Sequence, residues 1–373
     1  MAIGDKKPVV MEFDRAVPGG VATLDKSGKL ADDQRPDYKT SQVEGLDKAL
    51  SRLGDEVTAL QTGKQDKLTG SPGQLIGIGD DGEAQATVYP SSRNMLDNAH
   101  WMDKDCIINQ RNEDEYTAES TNMYTIDRWY LQDVGGKITV ESDGIVLSCN
   151  GSYAHFIQII EPKLIDQQIT FSVMLGDNTV YSVTVVATSG EGQKGSLVII
   201  PGGYFFIYRY GKGLGVAIRV DSGNSVHLKA AKLELGPVQT LAHKEGDTWV
   251  LNDQPPNYAL ELAKCQRYYQ QSWVGSPLSS TNKPADRLTK PAMTSARLES
   301  VRFPVTMRAN PTVTLYSGVT FTENAVAEWE SDSTIEGCVA LYTGPNGFLP
   351  TLQKPDFEKG NFYSFFYTAS ADL

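Results

Sequence analysis

The chain holds few of the residues that announce common chemistries. Its four cysteines, Cys106, Cys149, Cys265 and Cys338, lie far apart, with no CxxC pair and no Cys/His ligand spacing. That pattern speaks against a disulfide framework or a zinc site and for buried thiols. The four histidines, His100, His155, His227 and His243, stand with no serine or cysteine in a nucleophile motif, so triad chemistry has no support. No Lys/Arg stripe could follow a phosphate backbone, and the formal net charge is −12, which argues against nucleic acid as a partner. Apolar stretches are broken by Gly, Tyr or Arg, and the first fifteen residues contain no apolar segment ahead of a small-residue cleavage site. The expectation is a soluble product made in a cytosol, without membrane insertion. Gly211, Gly213 and Gly215 are followed by no helix and read as turn residues rather than a nucleotide loop. No Asp-x-Asp-x-Asp-Gly run marks a calcium loop, and neither a metal nor a cofactor is expected.

What is present begins with a heptad. Val43, Leu46, Leu50, Leu53, Val57 and Leu60 recur at alternating three- and four-residue steps, a seam that buries only against another helix and so asks for further copies of the same chain. The helix is short, roughly 27 Å at 1.5 Å per residue, and Gly45 and Gly54 weaken it. Before it, residues 1–40 are rich in Pro and Gly with little periodicity, which reads as an extended attachment arm. After residues 41–62, the segment 63–93 carries Gly70, Pro72, Gly73, Gly77, Gly79 and Gly82, a neck of short β-turn pieces.

From about Asn94 the pattern becomes period-two strands separated by turns. Ile169, Phe171, Val173 and Leu175 alternate with smaller or polar neighbours, Asp177-Asn178 turns the chain, and Tyr181, Val183, Val185 and Ala187 alternate again. The stretch 94–245 is predicted to be a β-sandwich of the jelly-roll kind. A second domain over 246–373 starts after Pro255-Pro256, with Asn257 capping a helix that carries Tyr258, Leu262, Cys265 and Tyr269 on one face. Strands are expected at 301–307, 312–316, 337–342 and 361–368. In the last one Phe362 and Phe366 share one face and Tyr363, Phe365 and Tyr367 the other, so one face is expected to meet a neighbouring subunit. The chain is therefore mainly β: a short coil, a middle sandwich and a C-terminal β-sandwich domain.

Several stretches resemble a known family. GDKKPVVMEFD, GVATLDKSGKLADDQRP and the KQDKLTG/GQLIG block are similar to the stalk of tail fibre and tail-associated proteins encoded by phages and prophages of Gram-positive bacteria. NMLDNAHW from Asn94, INQR from Ile108, YTIDRWYL from Tyr124 and AKLELG from Ala231 resemble the carbohydrate-binding-type jelly roll of such proteins. ELAKCQRYYQ from Glu261 and YTASADL from Tyr367 resemble their terminal domain. The resemblance implies a homotrimeric virion component that reaches tail or baseplate proteins through its arm and bacterial surface carbohydrate through its β-domains. It departs from enzyme-bearing members, because no hydrolase motif is found and no catalysis is expected. A tail-associated glycan hydrolase and a passive spacer or head-decoration fibre are the rival readings.

Sugars lay their C–H faces on aromatic rings while Asp, Asn and Arg take the hydroxyls. Candidates in the sandwich are Trp101 and the run Tyr204, Tyr208 and Tyr210, which serves equally as a sugar platform or as an intersubunit contact. Trp129 reads as core, with Asp127 and Arg128 making a structural pair. In the C-terminal domain the loops at 329–334 and 342–348 present Trp329, Tyr342, Asn346 and Phe348 at the end farthest from the arm, and host recognition is expected mainly there. Glycosidase chemistry needs two acids about 5–9 Å apart. Asp80/Asp81, Asp103/Asp105 and Glu113/Asp114/Glu115 are the nearest pairs, all in turn-like sequence that suits a solvated loop.

Overall fold

A computed structural model describes residues 26–27, 29, 45–62, 76–78, 84–86, 91–161, 164, 166–187, 197–210, 213–273 and 287–372. Most of the expected arm, most of the neck, and Val43 lie outside them. The chain forms two compact units, Met1–Thr87 and Val88–Leu373.

In the first unit the helix α1 (Leu46–Thr62) begins directly after Gly45, whose φ of +83° is open to glycine but strained for other residues. The expected seam lies on it. Leu50, Leu53, Val57 and Leu60 are 46–68% exposed within the single chain, while Leu46 is half-buried. Among the described residues nothing covers this apolar stripe. The same unit contains a two-stranded antiparallel pair, β1 (Ile76–Ile78) with β2 (Ala84–Ala86).

The second unit opens with the sandwich. Its strands are β3 (Glu115–Thr117), β4 (Met123–Tyr124), β5 (Tyr130–Leu131), β6 (Gly136–Glu141), β7 (Gly144–Cys149), β8 (Tyr153–Ile160), β9 (Gln168–Leu175), β10 (Val180–Val186), β11 (Val198–Ile200), β12 (Gly203–Tyr210), β13 (Gly213–Asp221) and β14 (Ser225–Leu235). They build two six-stranded antiparallel sheets, in the orders β10-β9-β14-β7-β6-β3 and β11-β12-β13-β8-β5-β4. The hairpin read from Ile169 and Tyr181 is β9 and β10, with Val183 opposite Phe171. Apolar residues of both sheets meet in one core around Trp129, which stacks on Phe156 at 4.7 Å and takes Trp101 edge-on at 5.2 Å.

The rest of the unit is a hairpin, β15 (Ala242–Glu245) with β16 (Thr248–Leu251), then α2 (Tyr258–Gln266) and a second β-module. Asn257 caps α2, its side chain accepting from Leu260 N. The buried face of that helix differs from the expected one. Glu261 and Cys265 point inward, Tyr258 is exposed, and Tyr269 belongs to the strand that follows. The module's strands are β17 (Tyr269–Gln271), β18 (Leu288–Thr294), β19 (Arg297–Leu298), β20 (Val301–Arg302), β21 (Thr312–Ser317), β22 (Ala325–Glu328), β23 (Thr334–Glu336), β24 (Cys338–Gly344), β25 (Gly347–Leu352) and β26 (Phe362–Ser370), joined in one ten-stranded antiparallel sheet. The strand expected over 301–307 stops at Arg302, because Pro304 has no N–H to offer a ladder.

The last strand, β26, sits at the centre. It pairs with β17 and β21 along one half and with β18 and β22 along the other. A central strand covered on both faces is apolar on both. Tyr363, Phe365 and Tyr367 therefore lie in the module's own core rather than at an intersubunit contact, and Phe366 is covered by Trp273 and Phe321 of the same chain. Of the five rings only Phe362 is exposed, at 51%.

The sandwich and the second module are stitched together by polar groups, several of them buried. The Glu261 carboxylate accepts from Asn98 N at 2.6 Å, Gln110 Nε2 donates to Tyr269 O at 2.8 Å, and Arg308 bridges Glu161 and the carbonyl of Ala371. The Arg128 guanidinium lies 3.4 Å from the Tyr268 ring centroid and donates to Ile159 O and to Asp97. Asp127 and Arg128 thus do not pair with each other. With Arg128 at φ +73° in the turn before Trp129, Arg128 goes to the seam while Asp127 accepts from the backbone and side chain of Gln110.

Candidate functional site

The residues named from the sequence fall into three groups. Trp101 and Phe348 are core: Trp101 packs on Trp129 and Phe156, Phe348 is an inward residue of β25, and neither can meet a sugar. Trp329, Tyr342 and Asn346 reach the surface. Trp329, 43% exposed, stacks under the Arg287 guanidinium at 3.9 Å, Tyr342 is 74% exposed, and Asn346 accepts from Thr306 Oγ1.

Tyr204 and Tyr208 form the third group. They stand half-buried on the outer face of the second sheet, flanking Phe206 at 5.8 and 5.7 Å, while Phe205 and Ile207 point into the core. The Tyr210 side chain is outside the described residues. Arg219 Nη1 donates to the Tyr204 hydroxyl at 2.7 Å. The Tyr208 hydroxyl lies 3.5 Å from that of Tyr130, whose ring is 5.3 Å from Tyr124.

Tyr124 leads into a groove at the seam between sandwich and second module, about 460 Å³ in volume. Arg111, Tyr269, Trp273, Tyr316 and Phe321 shape it. Arg111 leaves the turn after Ile108, its guanidinium 3.8 Å from the Tyr269 centroid and 5.7 Å from that of Tyr124. Across the groove, Phe321 stacks on Tyr316 with centroids 4.6 Å apart and planes 9° from parallel, and Trp273 meets both edge-on. Phe321 has φ +58°, a left-handed conformation costly for a bulky residue and one that its packing has to hold. Gln271 accepts from the Tyr269 hydroxyl at 3.0 Å, and Glu113 and Glu115 add carboxylates to the rim.

Burial sets the charge states here. It pushes the Tyr269 phenol up to about 12, with Arg111 opposing, and moves Tyr124 up as well, so both rings keep their hydroxyl protons at neutral pH. Asp372, 3.6 Å from Arg111, is also raised by burial, with the guanidinium opposing. The groove offers flat apolar rings beside hydroxyl, amide, guanidinium and carboxylate groups, the set that packs on a sugar ring and satisfies its hydroxyls.

Three of the acids weighed for hydrolysis have other occupations. Asp103 accepts from Asp105 N to cap a short 3₁₀ turn, Asp114 pairs with Lys104 and Glu115 with Lys137, each at 2.6 Å. Asp80 and Asp81 lie outside the described residues. A second cleft of about 550 Å³, between the sandwich, the β15–β16 hairpin and α2, has a mixed polar and apolar lining, and its acids are paired: Asp253 with buried Lys232 at 2.7 Å and Glu261 with Lys264 at 2.6 Å.

Sequence reasoning passed over Trp273, Tyr316, Phe321 and Arg111. The signal that could have found them was partly in hand, since three of the stretches used for the resemblance, INQR, YTIDRWYL and ELAKCQRYYQ, contribute Arg111, Tyr124 and Tyr269 to one groove. Neither a protein-family profile nor a curated protein matches the sequence. Among solved structures, wild-type discoidin II from Dictyostelium discoideum is similar at 10% identity over 82% of this chain and 100% of that one, with a TM-score of 0.16. The native structure of recombinant discoidin II from the same organism is similar at 11% identity over 75% of this chain and 94% of that one, with a TM-score of 0.14. Likeness at these scores carries no weight for the fold or the site.

Proposed function

We propose that this chain is a non-catalytic, glycan-binding fibre component of a phage or prophage tail. The observation that carries the binding role is the aromatic groove, with the half-buried Tyr204 and Tyr208 of the outer sheet packed nearby through buried Tyr130. An open groove lined by several rings suits an extended polysaccharide better than a single terminal sugar. The stalk-like stretches of the sequence support the place in the virion, with the arm at residues 1–40 held by tail or baseplate proteins. The bare stripe on α1 supports assembly, which we take to be a parallel homotrimer made in the host cytoplasm. Three copies raise a weak single-site affinity through effective concentration, so a shallow groove suffices.

The test is binding of the full chain to purified wall polysaccharide of a Gram-positive host, followed by calorimetry and by assay of released sugar. Trp273→Ala is expected to weaken binding about tenfold, near 1.4 kcal/mol, and Trp329→Ala with Tyr342→Ala to change it little. The polymer should be recovered intact. Loss of binding only in the Trp329/Tyr342 variant would move the site to the distal loops. Release of soluble fragments would make the chain a hydrolase, and no binding at all would leave a spacer.

A further inference from the structure

Glu141, Asp143 and His227 converge where the turn between β6 and β7 abuts β14. A ring nitrogen of His227 and one oxygen of each carboxylate lie within 4.8 Å of one another, and His227 Nε2 is 3.6 Å from Asp143 Oδ1. The imidazole occupies a slot whose walls have no room for a side chain. A Cβ on Gly144 would stand 2.2 Å from Nε2, and one on Gly176 2.5 Å from Nδ1. Despite this close fit, Nε2 is shut off from solvent and has no hydrogen-bond partner. A buried polar atom left unsatisfied costs about 1–3 kcal/mol, which makes an orphan of this kind a mark of something bound. The two carboxylates repel each other, and among the described residues neither is paired with a lysine or arginine.

We propose that these three side chains hold a first-row divalent cation of the zinc type. One imidazole nitrogen with two carboxylate oxygens is a borderline donor set that suits zinc, whereas calcium and magnesium take oxygen ligands. Ligand atoms around a tetrahedral zinc with bonds near 2.0–2.1 Å stand roughly 3.4 Å apart, so the Nε2 to Oδ1 separation already fits and side-chain rotation can bring in Glu141. Two protein oxygens and one nitrogen leave a fourth position for water or for a donor from a partner. The ion would satisfy the orphaned Nε2, cancel the carboxylate repulsion and fasten the 141–144 turn to β14. The site uses none of the groove residues and stands apart from the glycan reading.

The full chain, stripped with a chelator, is titrated calorimetrically with zinc chloride and, separately, with calcium chloride. Glu141→Gln and Asp143→Asn are exposed substitutions that leave the histidine slot intact, and circular dichroism checks that both variants are folded. One zinc per chain is expected, with affinity lowered about tenfold or more in each variant and the equivalent lost in the double variant. Cobalt(II) in place of zinc should give a visible absorption band that the double variant lacks. Equal zinc uptake by wild type and double variant would put the ion on other histidines or on Cys106 and overturn the site. Failure to take up zinc, or a preference for calcium, would overturn it as well.

Discussion

Asp127 shows how strongly one buried side chain can tie stability to pH. Fully buried, its carboxyl is pushed from 3.8 up to about 6, burial outweighing the favourable pull of Arg111 and the two hydrogen bonds from Gln110. The folded state then holds the proton more tightly than the unfolded chain. Its contribution to stability is complete below pH 3.8 and is lost as the pH rises through 6, on the order of 2–3 kcal/mol across that window. Urea unfolding of wild type and Asp127→Asn at pH 4 and pH 7 should give a difference between the two proteins that changes by about this amount. An unchanged difference would mean that Asp127 does not titrate in that window. Arg111 and Arg128 illustrate the opposite economy, each laid over a tyrosine ring at the seam, where a guanidinium is less costly to bury than an ammonium.

Helix α1 carries an exposed apolar stripe, and the proposed assembly of copies is tested on it. Its apolar stripe is exposed among the described residues, and Gly54, with open space where a Cβ would sit, weakens the helix without serving a close contact there. Leu53→Asp puts a charge into the seam and should shift the protein toward monomer, while Gly54→Ala should strengthen association by about 1 kcal/mol per helix. Sedimentation equilibrium distinguishes these outcomes. If Leu53→Asp leaves the oligomer unchanged, the copies are held elsewhere. Strand β26 makes a parallel point. Its two aromatic faces read as core plus interface, yet Trp273, Tyr316 and Phe321 supply from within the chain the cover that a second subunit was expected to give.

Residues Val88–Leu373 behave as one compact unit although they contain two separate apolar cores. The seam joins those cores through charged and polar groups that meet only when both halves are in place: Glu261 on Asn98, Gln110 on the Tyr269 carbonyl, Arg308 on Glu161, Arg128 over Tyr268. Opening it would leave buried hydrogen-bonding groups unpaired at roughly 1–3 kcal/mol each. A chain beginning at Val88 should therefore melt in a single calorimetric transition, with the calorimetric and van't Hoff enthalpies in agreement. Two resolved transitions would mean that the modules fold independently and that the groove between them opens and closes freely.

Periodicity fixed the local elements. The heptad at Leu46–Leu60, the β9–β10 hairpin around Asp177-Asn178 and the Asn257 cap were legible because each depends on residues adjacent in sequence and on a repeat of 3.5, 2 or a single capping offset. Position in space was not legible. Trp101 and Trp329 are both tryptophans in polar sequence, yet one is core and the other is exposed, because burial depends on what other strands bring over the ring. The groove draws on residues from Arg111 to Thr368, and the His227 slot needs glycines at 144 and 176, so both arise from contacts across long sequence separation. No local pattern encodes such contacts. They exist only once the sheets have chosen their order, which is set by the packing of the whole core rather than by any one segment.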